Sequence, residues 1–184
     1  MRLFTGLDLP PEVVRNLEGL LERLRPAARI NWSAPANLHI TTRFIGEWPE
    51  PRLAELRAAL SGVPSHPAIP IAIRKLGFFP NPHSPRVFWA GVEASPELAA
   101  LASETDRALA PLGLPPEGRP FSPHLTLARI REPAPMQTLC QSIAALPSLE
   151  FGGFTAASFC LYHSRLTAAG SVYTKLAEFP LSKS

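Results

Sequence analysis

At 184 residues, 46% apolar and 18% charged, the chain has the composition of one globular domain rather than a disordered segment. No apolar run approaches the roughly 20 residues that span a bilayer. The opening Met1-Arg2-Leu3-Phe4-Thr5-Gly6-Leu7-Asp8 meets charge too early for an export signal, so a soluble cytoplasmic protein is expected. The net charge of +3 comes from scattered arginines, which suits an RNA or phosphate ligand but not a purely electrostatic nucleic-acid binder.

Four segments carry helical periodicity, read along the chain. Pro10 and Pro11 open the first, with Val14, Leu17, Leu21 and Leu24 on one face. Leu53, Leu56 and Leu60 mark the second, after Pro49 and Pro51. Ser95 is placed as N-cap of the third with Pro96 at its first helical position, and Gly113 ends the stripe of Leu98, Leu101, Thr105, Leu109 and Leu112. Met136, Leu139, Cys140 and Ile143 form the fourth, closed by Pro147. Residues 2–8, 38–46, 68–77, 86–92, 123–130, 154–162 and 171–179 read as strands, and Asn81-Pro82-His83-Ser84-Pro85 as a hairpin turn. The two cysteines, Cys140 and Cys160, are expected to be buried thiols rather than a disulfide. The mixed order of hairpins and helices argues for α+β with antiparallel sheets.

One short pattern occurs twice, His39-Ile40-Thr41-Thr42 and His124-Leu125-Thr126-Leu127, half a chain apart. In a strand, a His and the Thr two positions on point to the same face. The spacing suggests two interleaved lobes related by an approximate two-fold, with one motif in each, packed as a single bilobal domain over 1–184. Leu38, Ile40 and Phe44 are expected on the core face of the first strand, with His39, Thr41 and Arg43 opposite. In the second, Leu125 and Leu127 go to the core and His124 and Thr126 to the other face. Thr42 stands where an aliphatic residue belongs and needs a carbonyl partner. Arg129 faces away from His124 by strict alternation, and reaches the site only if the strand ends or bulges first.

Two imidazoles titrating near 6.5 can be neutral and protonated at once. One takes a proton from water while the other gives one to a leaving oxygen, which together lower a phosphodiester barrier by about 5–11 kcal/mol if independent. Thr41 and Thr126 donate hydrogen bonds to the non-bridging oxygens, and Arg129 and Arg43 add positive charge there. Neither metal nor cofactor is expected: the histidines lack ligand spacing, and the chain has no G-x-x-x-x-G-K loop. His66 and His83 read as loop residues and His163 as structural. Phe78, Phe79 and Trp89 are either a hairpin core or a stacking surface for an RNA base.

Pro35-Ala36-Asn37-Leu38-His39-Ile40-Thr41, with Phe44-Ile45-Gly46, and Phe121-Ser122-Pro123-His124-Leu125-Thr126-Leu127-Ala128-Arg129 resemble the two signatures of the two-histidine (2H) phosphoesterases. Within these, the chain is most similar to the RNA 2′,3′-cyclic phosphodiesterases, also called 2′-5′ RNA ligases. Phe79-Pro80-Asn81-Pro82, Pro85 to Val92, Ser164-Arg165-Leu166 and Tyr173 extend the likeness over nearly the whole chain. The resemblance implies a bilobal fold in which two antiparallel sheets line a central cleft and helices lie outside. It implies a hydrolase acting on RNA ends bearing a 2′,3′-cyclic phosphate and leaving a 2′-phosphate, with His39 as proton donor, His124 as proton acceptor, and Phe79 beside the substrate. A monomer is expected. The alternatives are a 2′-5′ ligase or another cyclic-nucleotide or 2′-5′ phosphodiesterase on the same site, and a non-catalytic RNA-binding module on the same fold.

Overall fold

The computed structural model describes residues 1–183. Four helices, α1 (Pro11–Leu24), α2 (Leu53–Ser61), α3 (Glu97–Leu109) and α4 (Gln137–Ala144), accompany nine strands. The strands are β1 (Arg2–Leu7), β2 (Asn31–Trp32), β3 (Ile40–Glu47), β4 (Ile69–Phe79), β5 (Val87–Ala94), β6 (His124–Arg129), β7 (Glu150–Ala156), β8 (Ser158–Thr167) and β9 (Gly170–Pro180). Two sheets result, ordered β3-β1-β8-β9 and β2-β6-β5-β4-β7, and every strand pair is antiparallel. No helix among the described residues is long and apolar enough to cross a membrane.

The helices form where apolar stripes recur. Helix α1 buries Val13, Leu17, Leu20, Leu21 and Leu24, side chains worth about 1.5–3 kcal/mol each when fully withdrawn from water. It packs on β7 and α4, behind the five-stranded sheet. Helices α2 and α3 pack on each other and reach β9 and β3, behind the four-stranded sheet. The lobes are therefore not the two halves of the chain. Strands β1 and β3 come from the first half and pair with β8 and β9 from the second, while α1 and β2 cross to the other lobe.

Several local expectations are corrected. The expected 154–162 strand is two strands, β7 and β8, which belong to different sheets. Strand β2 is too short for any periodicity to reveal. Ser95 does not cap α3: its hydroxyl is buried without a partner, and the helix starts after Pro96. Cys140 is exposed, because the short α4 turns only Leu139 fully inward, whereas Cys160 is buried as expected. His66 is no solvated loop residue. It is 6% exposed and lies between two carboxylates of α3, Glu97 at 3.2 Å and Glu104 at 2.5 Å.

Candidate active site

His39 immediately precedes β3 and His124 opens β6, and these strands, one from each sheet, lie against each other. Each imidazole is anchored in the same way. His39 Nδ1 donates to the carbonyl of Asn37 at 2.7 Å, and His124 Nδ1 to the carbonyl of Ser122 at 2.9 Å. A carbonyl only accepts, so in both rings the proton sits on Nδ1 and Nε2 is left for chemistry. On the first side the hydroxyl of Thr41 lies 2.9 Å from His39 Nε2. Thr126 occupies the matching place on β6, and its backbone carbonyl is fixed by the Ser33 hydroxyl at 3.0 Å.

Each strand then bulges at the same point. Against β1, Arg43 pairs with Thr5 and Thr41 with Gly6, which leaves Thr42 as the extra residue. Against β5, Ala128 pairs with Phe88 and Thr126 with Trp89, which leaves Leu127. A bulge inserts one residue and inverts the facing of all that follow. The two runs 39–44 and 124–129 consequently share one burial pattern: half-buried, buried, half-buried, buried, buried, exposed. This reverses two expectations for the first strand. Phe44, expected in the core, is 42% exposed and stacks on Phe4 of the His39 face, with ring centroids 6.2 Å apart. Arg43 is 8% exposed and turns to α3, where its Nε meets Asp106 at 2.7 Å and its guanidinium reaches the Pro115 carbonyl at 2.5 Å. It is a strut between β3 and α3, held away from the cleft. On the second strand the bulge does what Arg129 required, returning that exposed side chain to the face of His124 and Thr126. Thr42, the aliphatic exception, hydrogen-bonds the buried Thr5 hydroxyl at 2.7 Å instead of a carbonyl.

Burial pushes both imidazoles below the usual histidine range. The Arg129 charge pushes each down further, and the His124 charge also depresses His39, so the three act within one electrostatic site. Asp8 works the other way on His39, and among the described residues no carboxylate does so on His124.

Aromatic rings wall both sides. His39 lies 4.7 Å from Phe4 and meets the Tyr173 edge at 5.1 Å. Gly6 makes this seat possible: a Cβ there would stand 2.7 Å from the Ile40 carbonyl and 3.5 Å from the His39 ring. Phe79 meets His124 edge-on at 5.0 Å and rests on Trp89, which lies flat over Gly77 with no room for a Cβ there. Phe78, by contrast, stacks on the core residue Phe88. His83 sits exposed in a turn built by Asn81, whose Oδ1 accepts the His83 and Ser84 amides at 2.9 Å each. The anchoring carbonyls of Asn37 and Ser122, and the packing of Phe4 and Tyr173, escaped the sequence reading. The one available signal was the placement of Asn37 and Ser122 two positions before a motif histidine.

Comparison with known proteins agrees with this geometry. The profile of the 2′-5′ RNA ligase superfamily matches residues 10–167. The chain belongs to this family. It is 34% identical over 179 residues to a protein of Archaeoglobus fulgidus named RNA 2′,3′-cyclic phosphodiesterase, covering 97% of this chain and 99% of that one. A protein of the same name from Aeropyrum pernix is 38% identical over 149 residues, covering 80% and 84%. Among solved structures, a Thermus thermophilus protein superposes with a TM-score of 0.82 at 32% identity, covering 98% of both chains. LigT of E. coli in its apo form gives 0.78 at 27%, covering 99% of this chain and 98% of LigT. The fold, two antiparallel sheets with helices outside, is the one the family resemblance implied.

Proposed function

We propose that the cleft hydrolyses a terminal 2′,3′-cyclic phosphate on RNA to a 2′-phosphate, using the two imidazoles and no metal. The observation that carries this is the equivalent anchoring of His39 and His124, each with Nδ1 committed to a backbone carbonyl so that Nε2 is the nitrogen left for proton transfer, beside the Thr41 hydroxyl in His39. The relatives named RNA 2′,3′-cyclic phosphodiesterase support the substrate class, and LigT has been solved in complex with phosphate, an anion of the same chemistry.

Water attacks phosphorus while His124 Nε2 takes its proton. The bond from phosphorus to the 3′ oxygen breaks, and His39 Nε2 delivers a proton to that oxygen. Proton exchange with solvent resets the pair. The assignment of His39 as acid follows the family resemblance; burial, Arg129 and His124 disfavour its imidazolium in the free enzyme, and Asp8 opposes them only weakly. The bound phosphodiester is itself an anion and raises both histidines, offsetting their burial. Thr41 and Thr126 bind the non-bridging oxygens as charge develops, and Arg129 supplies the cation on the His124 side. Phe79 lines the pocket beside His124. RNA ends in the cytoplasm are the intended substrates, and one copy of the chain holds the whole site. The near-equivalence of the two histidines also favours a second reading, ligation of RNA ends by the reverse reaction, in which acid and base exchange roles.

The test is turnover of an oligonucleotide ending in a 2′,3′-cyclic phosphate, with product identification by NMR and EDTA present. A 2′-phosphate product is expected. His39→Ala and His124→Ala should each lower kcat by about 10²–10⁴. A 3′-phosphate product, or an undiminished single variant, overturns the reading.

A further inference from the structure

The shared bulge makes position five after each motif histidine a cleft residue. On β6 that residue is the cation Arg129, but on β3 it is Phe44. The two sides of the cleft are thus built alike and equipped differently. Phe44 is one of four large apolar side chains exposed among the described residues. It is not isolated. Its ring runs nearly parallel to Phe4, at an interplanar angle of 19°, and Phe4 in turn packs on His39. The Arg2 guanidinium lies 5.5 Å from the Phe44 centroid, and Arg2 makes no ion pair among the described residues. An aromatic tier therefore leads outward from the His39 imidazole and ends in an exposed ring beside an unneutralised arginine.

We propose that Phe44 and Arg2 form a stacking subsite for a nucleobase one residue removed from the reacting phosphate, on the His39 side of the cleft. This deepens the RNA-end reading and rests on it. Aromatic rings and guanidinium planes are the surfaces on which single-stranded bases stack, without sequence preference. The charge of Arg2 suits the phosphodiester that precedes such a base. The position follows from the tier itself: a whole ring, Phe4, separates Phe44 from the catalytic imidazole, whereas Phe79 touches His124 directly. The terminal base belongs with the near ring and its 5′ neighbour with the far one. Strand alternation hides this residue, because an unbulged β3 turns Phe44 inward.

The experiment compares a 2′,3′-cyclic mononucleotide with a dinucleotide ending in the same group, for wild type, Phe44→Ala and Phe44→Trp. Phe44 is exposed, so neither change threatens folding. Phe44→Ala should raise KM for the dinucleotide by about 5- to 150-fold, leave the mononucleotide unchanged, and be rescued by tryptophan. Equal effects on both substrates, or none on either, overturn the subsite. Calorimetric binding of the dinucleotide 2′-phosphate reads the same contact without turnover. Should the wild type turn over neither substrate, the activity reading fails while this titration still decides the subsite: affinity lost in Phe44→Ala and kept in Phe44→Trp supports it, and unchanged affinity overturns it.

Discussion

An imidazole bound at Nδ1 to a carbonyl has one nitrogen left, and in this cleft there are two such rings under one arginine's charge. Their protonation sets the pH behaviour. Burial and Arg129 hold both below the ordinary value of about 6.5. In the free enzyme the productive state needs one ring protonated and one neutral, so kcat/KM is expected to trace a bell centred below pH 6.5 and to fall through neutrality. The bound anion raises both rings, so the kcat optimum should lie at higher pH than that of kcat/KM. Arg129→Gln removes a charge that depresses both, and should move the kcat/KM bell upward. Initial rates from about pH 4.5 to 9 check this, and a wild-type kcat/KM maximum above about pH 6.5 contradicts it. The His–Thr pairs were legible at this scale because a period of two needs no tertiary information. His66 was not, because its two carboxylate partners lie on α3, more than 30 residues along the chain.

At the scale of the strand, one extra residue separates what periodicity foretells from what the fold does. A bulge has no side-chain signature, and in β3 it follows Thr41 without a glycine to announce it. Alternation therefore put Arg43 on the His39 face and turned Arg129 away from His124, when the bulge does the reverse and matches Arg129 with Phe44. The two arginines should accordingly fail in different ways. Arg43→Met removes one partner of a largely buried pair and leaves the Asp106 carboxylate with only the Glu117 amide, costing about 2–4 kcal/mol of stability, with KM of the folded enzyme unchanged. Arg129→Met changes an exposed side chain, so stability should stay within about 0.5 kcal/mol. Its kcat/KM should drop about 10- to 100-fold through loss of a charge-assisted hydrogen bond to phosphate. Urea melts paired with steady-state kinetics separate the two patterns. A raised KM in Arg43→Met would return that residue to the cleft.

Over the whole molecule, two similar lobes invite the expectation of two folding units, and the topology argues against it. No cut in the chain separates the sheets. Strand β1 pairs with β3 from its own half and also with β8, where Arg2 lies opposite Ser164. Helix α1 follows β1 directly yet packs behind the other sheet. The apolar interior is continuous: Leu3, Leu7 and Ile40 of one sheet belong to the same cluster as Ile69, Phe88 and Leu125 of the other. The repeated motif suggested two interleaved lobes, but which elements they exchange was not legible, since spacing along a chain carries no information on which sheet a strand joins. We therefore propose that the chain unfolds as one unit. The tryptophans offer a direct measurement. Trp48 is buried beside the four-stranded sheet, where its amide bonds the Met1 carbonyl, and Trp89 lies in the five-stranded sheet. Variants in which Trp48 or Trp89 is the single tryptophan, Trp32 being replaced in both, should give coincident urea midpoints, matching the far-UV circular dichroism transition. Refolding should be slow for a chain of this length, because the central β1–β8 pairing closes nearly the whole chain before it returns any energy. Distinct midpoints for Trp48 and Trp89 would mean that each lobe stands alone, and that the shared core couples them less tightly than their exchanged strands require.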